Sequence, residues 1–321
     1  MCCFAGAGEV QVHGTTIFAR LIAPGTQVLA YQMAYAAQAP TAMILPLPVA
    51  LPAKEGSVRF KNLKEYPDFF GALESGFPSP PTRSWSKSAE VPASATLEVH
   101  DVGDFVASFV PKIADFARVD PRFVLAPGVW TKLPSYADYG FAVFQLKELS
   151  GSPHPIALEF DSRLEDRLFF PTVHIHDGSV HEKDTFDHVL YAQASAFDAL
   201  VDAYEGPSSI DRHTGFVRSK GKVADFADVA RAQGLLAADL LMHKVSLQGL
   251  HPNRDTFFSV SAAEASNHAS AARQGSGSSG ACSRCAGSAG KSSVPVPVGL
   301  TLAGLGWSLL RRNRLRRREQ G

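Results

Sequence analysis

Apolar and polar positions alternate with a period near two over much of the first 258 residues, the spacing of side chains on a half-buried strand. Val10 and Val12 precede Gly14, and a β-branched, apolar run follows over residues 15–22. This pattern predicts a β-hairpin turning at Gly14. Residues 27–36 and 41–47 predict two further strands. Pro46, Pro48 and Pro52 close the second of these, so it is expected at a sheet edge or as an extended exit, where a missing N–H costs no ladder bond. Strand patterns resume at 96–99, 105–110, 139–146, 155–160, 168–176, 180–181 and 188–193, and residues 240–247 read as a closing strand.

Helical spacing is rarer. Residues 63–73 place Tyr66, Phe69, Phe70 and Leu73 on one side of a short amphipathic helix. Residues 111–118, 197–204 and 224–236 also read as helices. Many short strands, few helices and no regular βαβ alternation predict an α+β fold, mainly antiparallel β-sheet and sandwich-like, over residues 1–258. The Pro- and Ser-rich stretch 76–94 predicts a long surface loop. From residue 259 the composition shifts to Ala, Ser and Gly, so 259–293 is expected to be a flexible linker. Residues 294–310 are apolar and uncharged, which predicts one C-terminal hydrophobic helix long enough to span a bilayer.

Charge sharpens this division. The chain carries 31 basic and 31 acidic residues, but Arg311, Arg312, Arg314, Arg316, Arg317 and Arg318 crowd its end. Without those six and Glu319, 25 basic residues face 30 acidic ones in 1–310. A mildly acidic body argues against nucleic acid as partner, since phosphate contacts need clustered Lys and Arg. The arginines beside the apolar run predict a membrane partner, with residues 311–321 on the cytoplasmic side. No secretory signal pattern is seen over the first twenty residues, where Glu9, Gln11 and His13 interrupt any apolar run, so the body is expected in the cytoplasm. The four cysteines, Cys2, Cys3, Cys282 and Cys285, leave the body between them without a disulfide framework.

Two constellations could carry chemistry. His174 and His176 lie two apart on a predicted strand, so both imidazoles share one face. If Asp177-Gly178 turns a hairpin, His174 comes opposite His181, with Asp184, Asp187 and His188 downstream as further donors. Two or three His plus a carboxylate are what a divalent metal, Zn or Fe, requires. A polar hairpin with its histidines bonded to backbone or to Asp is the structural alternative.

The other constellation is Cys2. Removal of Met1 would place its thiol beside a free α-amine, which can serve as base for its own side chain. Cys2, the turn at Gly14 and the strand ending at Arg20 resemble the opening of cysteine N-terminal-nucleophile amidohydrolases. That resemblance implies Cys2 as nucleophile and Arg20 as a catalytic-site residue, with Asn253 the candidate for a late Asn. Met-Cys-Cys-Phe at residues 1–4, Leu-Pro-Leu-Pro at 45–48 and the Phe-Phe-Pro-Thr-Val-His-Ile-His-Asp-Gly block at 169–178 resemble an uncharacterised bacterial family, which implies a shared fold over about 1–255. The Cys282-x-x-Cys285 pair, Pro295-Val-Pro297, the apolar run and the arginines resemble bacterial C-terminal sorting tails.

Together these readings anticipate a membrane-associated binding or structural module, metal-bearing at the histidines. The alternative is an amidohydrolase acting through Cys2. The tail is open to direct test: the full-length protein should stay with the membrane pellet through high salt and alkaline carbonate. Release by either treatment would reduce residues 294–318 to a peripheral, electrostatic attachment.

Overall fold

Residues 2–6, 8–78, 100–200 and 215–261 are described by the computed structural model of the chain. Along them run β1 (Cys2–Gly6), β2 (Val10–Ala23), β3 (Thr26–Ala37), β4 (Thr41–Leu47), β5 (Val58–Asn62) and α1 (Phe69–Glu74). Next come β6 (His100–Val102), β7 (Phe105–Val110), α2 (Pro127–Thr131), β8 (Gly140–Leu146), β9 (Ser150–Gly151) and β10 (Ile156–Asp161). The last third holds β11 (Arg167–Phe170), β12 (His174–Ile175), β13 (Lys183–Gln193), α3 (Ser195–Leu200), β14 (Val217–Lys222), β15 (Leu241–Pro252) and β16 (Thr256–Ser259).

One sheet has the order β12-β1-β4-β8-β7-β6. A second runs β14-β15-β13-β2-β3-β10-β5, with β9 attached to β3, and β11 and β16 form a separate ladder. Most pairings are antiparallel; β1 with β12 and β13 with β2 are parallel. The body is therefore the β-rich α+β fold that the alternation predicted, with only short helices.

Two apolar clusters organise it. The larger unites Ile44, Ala142 and Phe144 of the first sheet with Leu29, Tyr31 and Leu158 of the second. The smaller lies on the other face of the second sheet, where Val28, Ala30 and Ala157 meet Phe69, Phe70 and Leu73 of α1. On β3, residues 28 and 30 thus face one core and 29 and 31 the other, as strand alternation requires. Double-sided burial explains why 27–36 reads as a nearly unbroken apolar run.

Several local expectations give way. The predicted hairpin over 8–22 is one strand, β2, in which Gly14 at φ +63° sits where the register with β3 slips between His13 and Thr16. Glycine's left-handed conformation makes a bulge here instead of a turn. β4 is not an edge strand: it pairs with β1 and β8, and all seven of its residues are buried. The ladder tolerates Pro46 because pairing with β1 stops at Ile44. Residues 63–68 form turns and only Phe69–Glu74 is α-helical, although Leu63, Tyr66, Phe69, Phe70 and Leu73 are all buried. The helix expected over 224–236 is a 3-10 turn, Val223–Asp225, followed by turns with Gln233 and Gly234 at positive φ. Ala232, Leu235 and Leu236 still reach the smaller core from those turns, so burial and not helical repeat sets the spacing.

Chain contacts divide the protein into units 1–277 and 278–321. The second unit lies outside the described residues, as do most of the surface loop expected at 76–94, the strand expected at 96–99, the linker after residue 261 and the C-terminal hydrophobic helix. Among the described residues no helix is long and apolar enough to cross a membrane.

Phe144 tests the larger core. It is fully buried, with edge-to-face contacts to Phe60 at 5.4 Å and Phe105 at 6.1 Å. Phe144→Ala should lower unfolding free energy in urea by about 3–5 kcal/mol, the cost of truncating a buried aromatic. Leu250→Ala, at a side chain 68% exposed, should stay within about 0.5 kcal/mol of the parent.

Candidate functional site

Strand β1 occupies its place between β4 and β12 through apolar residues: Cys3, Phe4 and Ala5 are buried. Its pairing with β12 sets Cys2 in register with His174 and Cys3 with Ile175. β13 lies in the other sheet, pairs with β15 over 183–192, and carries His188 and Phe186 inward. The histidines thus gather where the two sheets approach each other.

The gathering differs from the predicted hairpin. Asp177-Gly178 does not fold residues 180–181 back onto β12, whose partner is β1. His181 is exposed and its Nε2 lies 3.1 Å from Oδ2 of Asp177. His174 instead meets His188, Nε2 to Nε2 at 3.1 Å, with the rings stacked at 4.7 Å. His176 also stacks with His174, at 4.9 Å, and meets Phe4 edge-on at 5.9 Å. Phe186 stacks against His174 at 4.4 Å. The expected metal trio His174, His176 and His181 is therefore not assembled. Among the described residues no group of three His, Cys, Asp or Glu is placed to hold a metal ion.

The 3.1 Å contact dictates protonation. One Nε2–H must donate to the other ring's Nε2 lone pair, so the accepting ring is neutral. Burial, which penalises charge on either ring, keeps the donor neutral too, in the opposite tautomer. The accepting ring carries its proton on Nδ1. Nδ1 of His174 is 3.8 Å from Asp184 Oδ2, and Nδ1 of His188 is 3.8 Å from Asp187 Oδ1, both beyond hydrogen-bond length. Asp187 is otherwise engaged, accepting the backbone N–H of Gly14 at 2.6 Å. Burial, joined by the positive charge of the amino terminus, pushes His174 down to about 3 and His188 to about 2. Burial also lowers His176.

Residues 253–256 complete the neighbourhood. Asn253 Oδ1 accepts the N–H of His174 at 2.7 Å, and its Nδ2 donates to the carbonyl of His174 at 2.9 Å and of His181 at 3.1 Å. Asp255 Oδ1 accepts from the N–H groups of Thr172 at 3.0 Å and Val173 at 3.3 Å. Its Oδ2 accepts the hydroxyl of Tyr136 at 2.6 Å. Burial raises the Asp255 carboxyl, although part of the residue reaches the surface, and burial raises the Tyr136 phenol as well. Neither residue stands out in the sequence, because their contacts span 119 positions (Tyr136–Asp255) and 83 positions (Thr172–Asp255).

Arg20 lies elsewhere. β2 starts at Val10, whose N–H bonds the carbonyl of His176, and Arg20 follows ten residues later. His188 immediately precedes Val189, the register partner of Thr16, so about five residues, roughly 16 Å of strand, separate Arg20 from that end of the histidine cluster. Its guanidinium donates to the carbonyls of Leu235 and Gly234, each at 2.7 Å, bracing the turns over the smaller core. An open cleft of about 490 Å³ is lined by Leu51, Lys54, Glu55, Lys112, Asp115 and Tyr139 among others and contains none of the histidines.

No family model matches the chain, and no curated protein does. Among solved structures it is similar to baculovirus P35, at 16% identity over 78% of this chain and 97% of that one, with a TM-score of 0.42. A mutated baculovirus P35 after caspase cleavage aligns at 17% identity over 78% of this chain and 100% of that one, with a TM-score of 0.38. P35 in its caspase-8 complex aligns at 15% identity over 79% and 96%, with a TM-score of 0.37.

The imidazole pair predicts acid sensitivity. Both folded-state values lie below the ordinary histidine value of 6.5, so below pH 6.5 the unfolded chain binds protons that the folded chain refuses. Stability should fall as pH drops from 6.5 toward 3, with a limiting slope of about 1.4 kcal/mol per pH unit for each histidine. Urea titrations across this window should show the slope, and a His174→Gln/His188→Gln protein should show much less of it. An unchanged slope in the double variant would assign the acid response to other groups.

Proposed function

We propose that Cys2 is a nucleophile toward acyl carbons, in the manner of a cysteine N-terminal-nucleophile amidohydrolase. The observation that carries this reading is the register of Cys2 with His174, an imidazole kept neutral by burial beside His188. Burial makes His174 resist protonation, so it adds no positive charge beside Cys2 and is not the base. With Met1 removed, the α-amine of Cys2 is the proton acceptor.

On this reading the thiol loses its proton to the α-amine, and the thiolate adds to an amide or ester carbonyl. The proton then passes to the departing amine or alcohol, leaving a thioester on Cys2 that water hydrolyses. Arg20 is left out of the mechanism, because its guanidinium already braces residues 234–235. Residues 294–310 would hold this body at a membrane, with the arginines on the cytoplasmic side.

Two measurements test the proposal on the full-length protein. Intact mass establishes whether Met1 is removed. The protein is then treated with p-nitrophenyl acetate, and peptide mass locates the acetyl group. Cys2 should acylate at least about tenfold faster than the cysteine of an unfolded peptide of the same opening sequence, the scale on which a positioned base acts. Cys2→Ala should abolish the nitrophenolate burst. A Cys2 that reacts no faster than the peptide would end the reading.

A further inference from the structure

β12 is the outer strand of its sheet and has only two residues, His174 and Ile175. A strand that short, bonded to β1 at two register positions, should fray at its open side. Here the open side is filled by one tetrapeptide, Asn253-Arg254-Asp255-Thr256, through the side chains of Asn253, Asp255 and Thr256 and the carbonyl of Arg254. Asp255 holds the amides of Thr172 and Val173, while the Thr172 hydroxyl donates to the carbonyl of Arg254 at 2.8 Å and lies 2.9 Å from Thr256 Oγ1. Asn253 alone closes on His174, accepting its N–H and donating to its carbonyl. A carboxamide with an acceptor and a donor side by side reproduces what a neighbouring strand would offer one residue.

These bonds divide the labour. Asp255, Tyr136 and Thr256 secure residues 172–173. Asn253 secures the residue in register with Cys2 and, through His181, the loop that follows β12. We infer that Asn253 is a positioning residue for Cys2: by standing in for the missing strand it fixes His174, and with it the first residue of β1. The inference rests on the reading of Cys2 as nucleophile. The clamp itself does not.

The geometry allows that role to be separated from general stability. Asn253→Ala removes both bonds to His174 and leaves those of Asp255 and Thr256 in place. Asn253→Asp keeps the oxygen that accepts from His174 N–H and loses the donor, so it also serves if the alanine variant does not fold. Tyr66→Phe is the control. Its lost hydroxyl accepts only from Asp228 N–H at 3.0 Å, in the smaller core.

The experiment follows acylation of Cys2 by p-nitrophenyl acetate in the full chain, together with amide hydrogen exchange at residues 174–175. Asn253→Ala should slow acylation about tenfold or more, the scale of a misplaced reacting group. It should speed exchange at 174–175 and leave exchange at 168–170 alone. Asn253→Asp should recover part of the rate, and Tyr66→Phe should acylate at the parent rate. Parent-like acylation and exchange in Asn253→Ala would overturn the inference, as would equal slowing by Tyr66→Phe. If Cys2 fails to acylate even in the parent while Asn253→Ala still frees the His174 amide, the nucleophile reading falls. The positioning role falls with it, and Asn253 is left as a strand clamp alone.

Discussion

The ladder of β2 and β3 must bury both of its faces, and the remainder of the body is arranged around that need. Ile17 and Ala19 look into the larger core while Phe18 looks into the smaller, and β3 repeats the pattern with Leu29 and Tyr31 against Val28 and Ala30. A sheet with two apolar faces needs two covers. The first sheet supplies one, through strands such as β4 and β8, whose residues are nearly all buried. Helix α1 and the turns of residues 223–236 supply the other, although they have little regular structure. Contact with a fully apolar face is enough to order them, because burying apolar area does not require a helix.

The polar site is a by-product of closing the larger core. Bringing the first sheet over the second sets β12 against β13, and both strands present histidines inward. Two imidazoles buried face to face have one economical arrangement, an Nε2–H of one bonded to Nε2 of the other, and it needs the accepting ring to be uncharged. The same burial makes protonation unfavourable, so the folded pair resists taking up a further proton. Phe186 and His176 extend the stack and shield it from water.

The edge of the first sheet shows another solution to an old constraint. An outer strand leaves N–H and C=O groups exposed, and proteins commonly cover them with charge, proline or a bulge. This protein covers them with Asn253 and Asp255, carried from the second sheet on the turn between β15 and β16. A side-chain edge joins the two sheets by directional bonds at the place where the apolar core runs out. It also ties His174, the register partner of Cys2, to a single short segment of chain.

Strand alternation by itself determined the β-rich class, most strand positions and the compositional break near residue 259, since period-two burial is written locally. Composition marked residues 174–188 as rich in histidine, and the place of Cys2 after Met1 marked it as a candidate nucleophile. Which histidines meet was decided only by tertiary structure. Asp177-Gly178 carries a strong local turn signal, but β12 gains more by pairing with β1 in the core than by folding back on 180–181, so His188 replaces His181 as the neighbour of His174. Pro46 suggested an edge because the sequence does not show that β1 ends its pairing at Ile44. Arg20 was linked to Cys2 by the resemblance to cysteine N-terminal-nucleophile amidohydrolases, whereas its guanidinium is spent on the carbonyls of Leu235 and Gly234. Asn253 lies 79 residues from His174, and no local pattern records that bond. Periodicity reports which side chains seek burial; the partners they find depend on how the sheets close over one another.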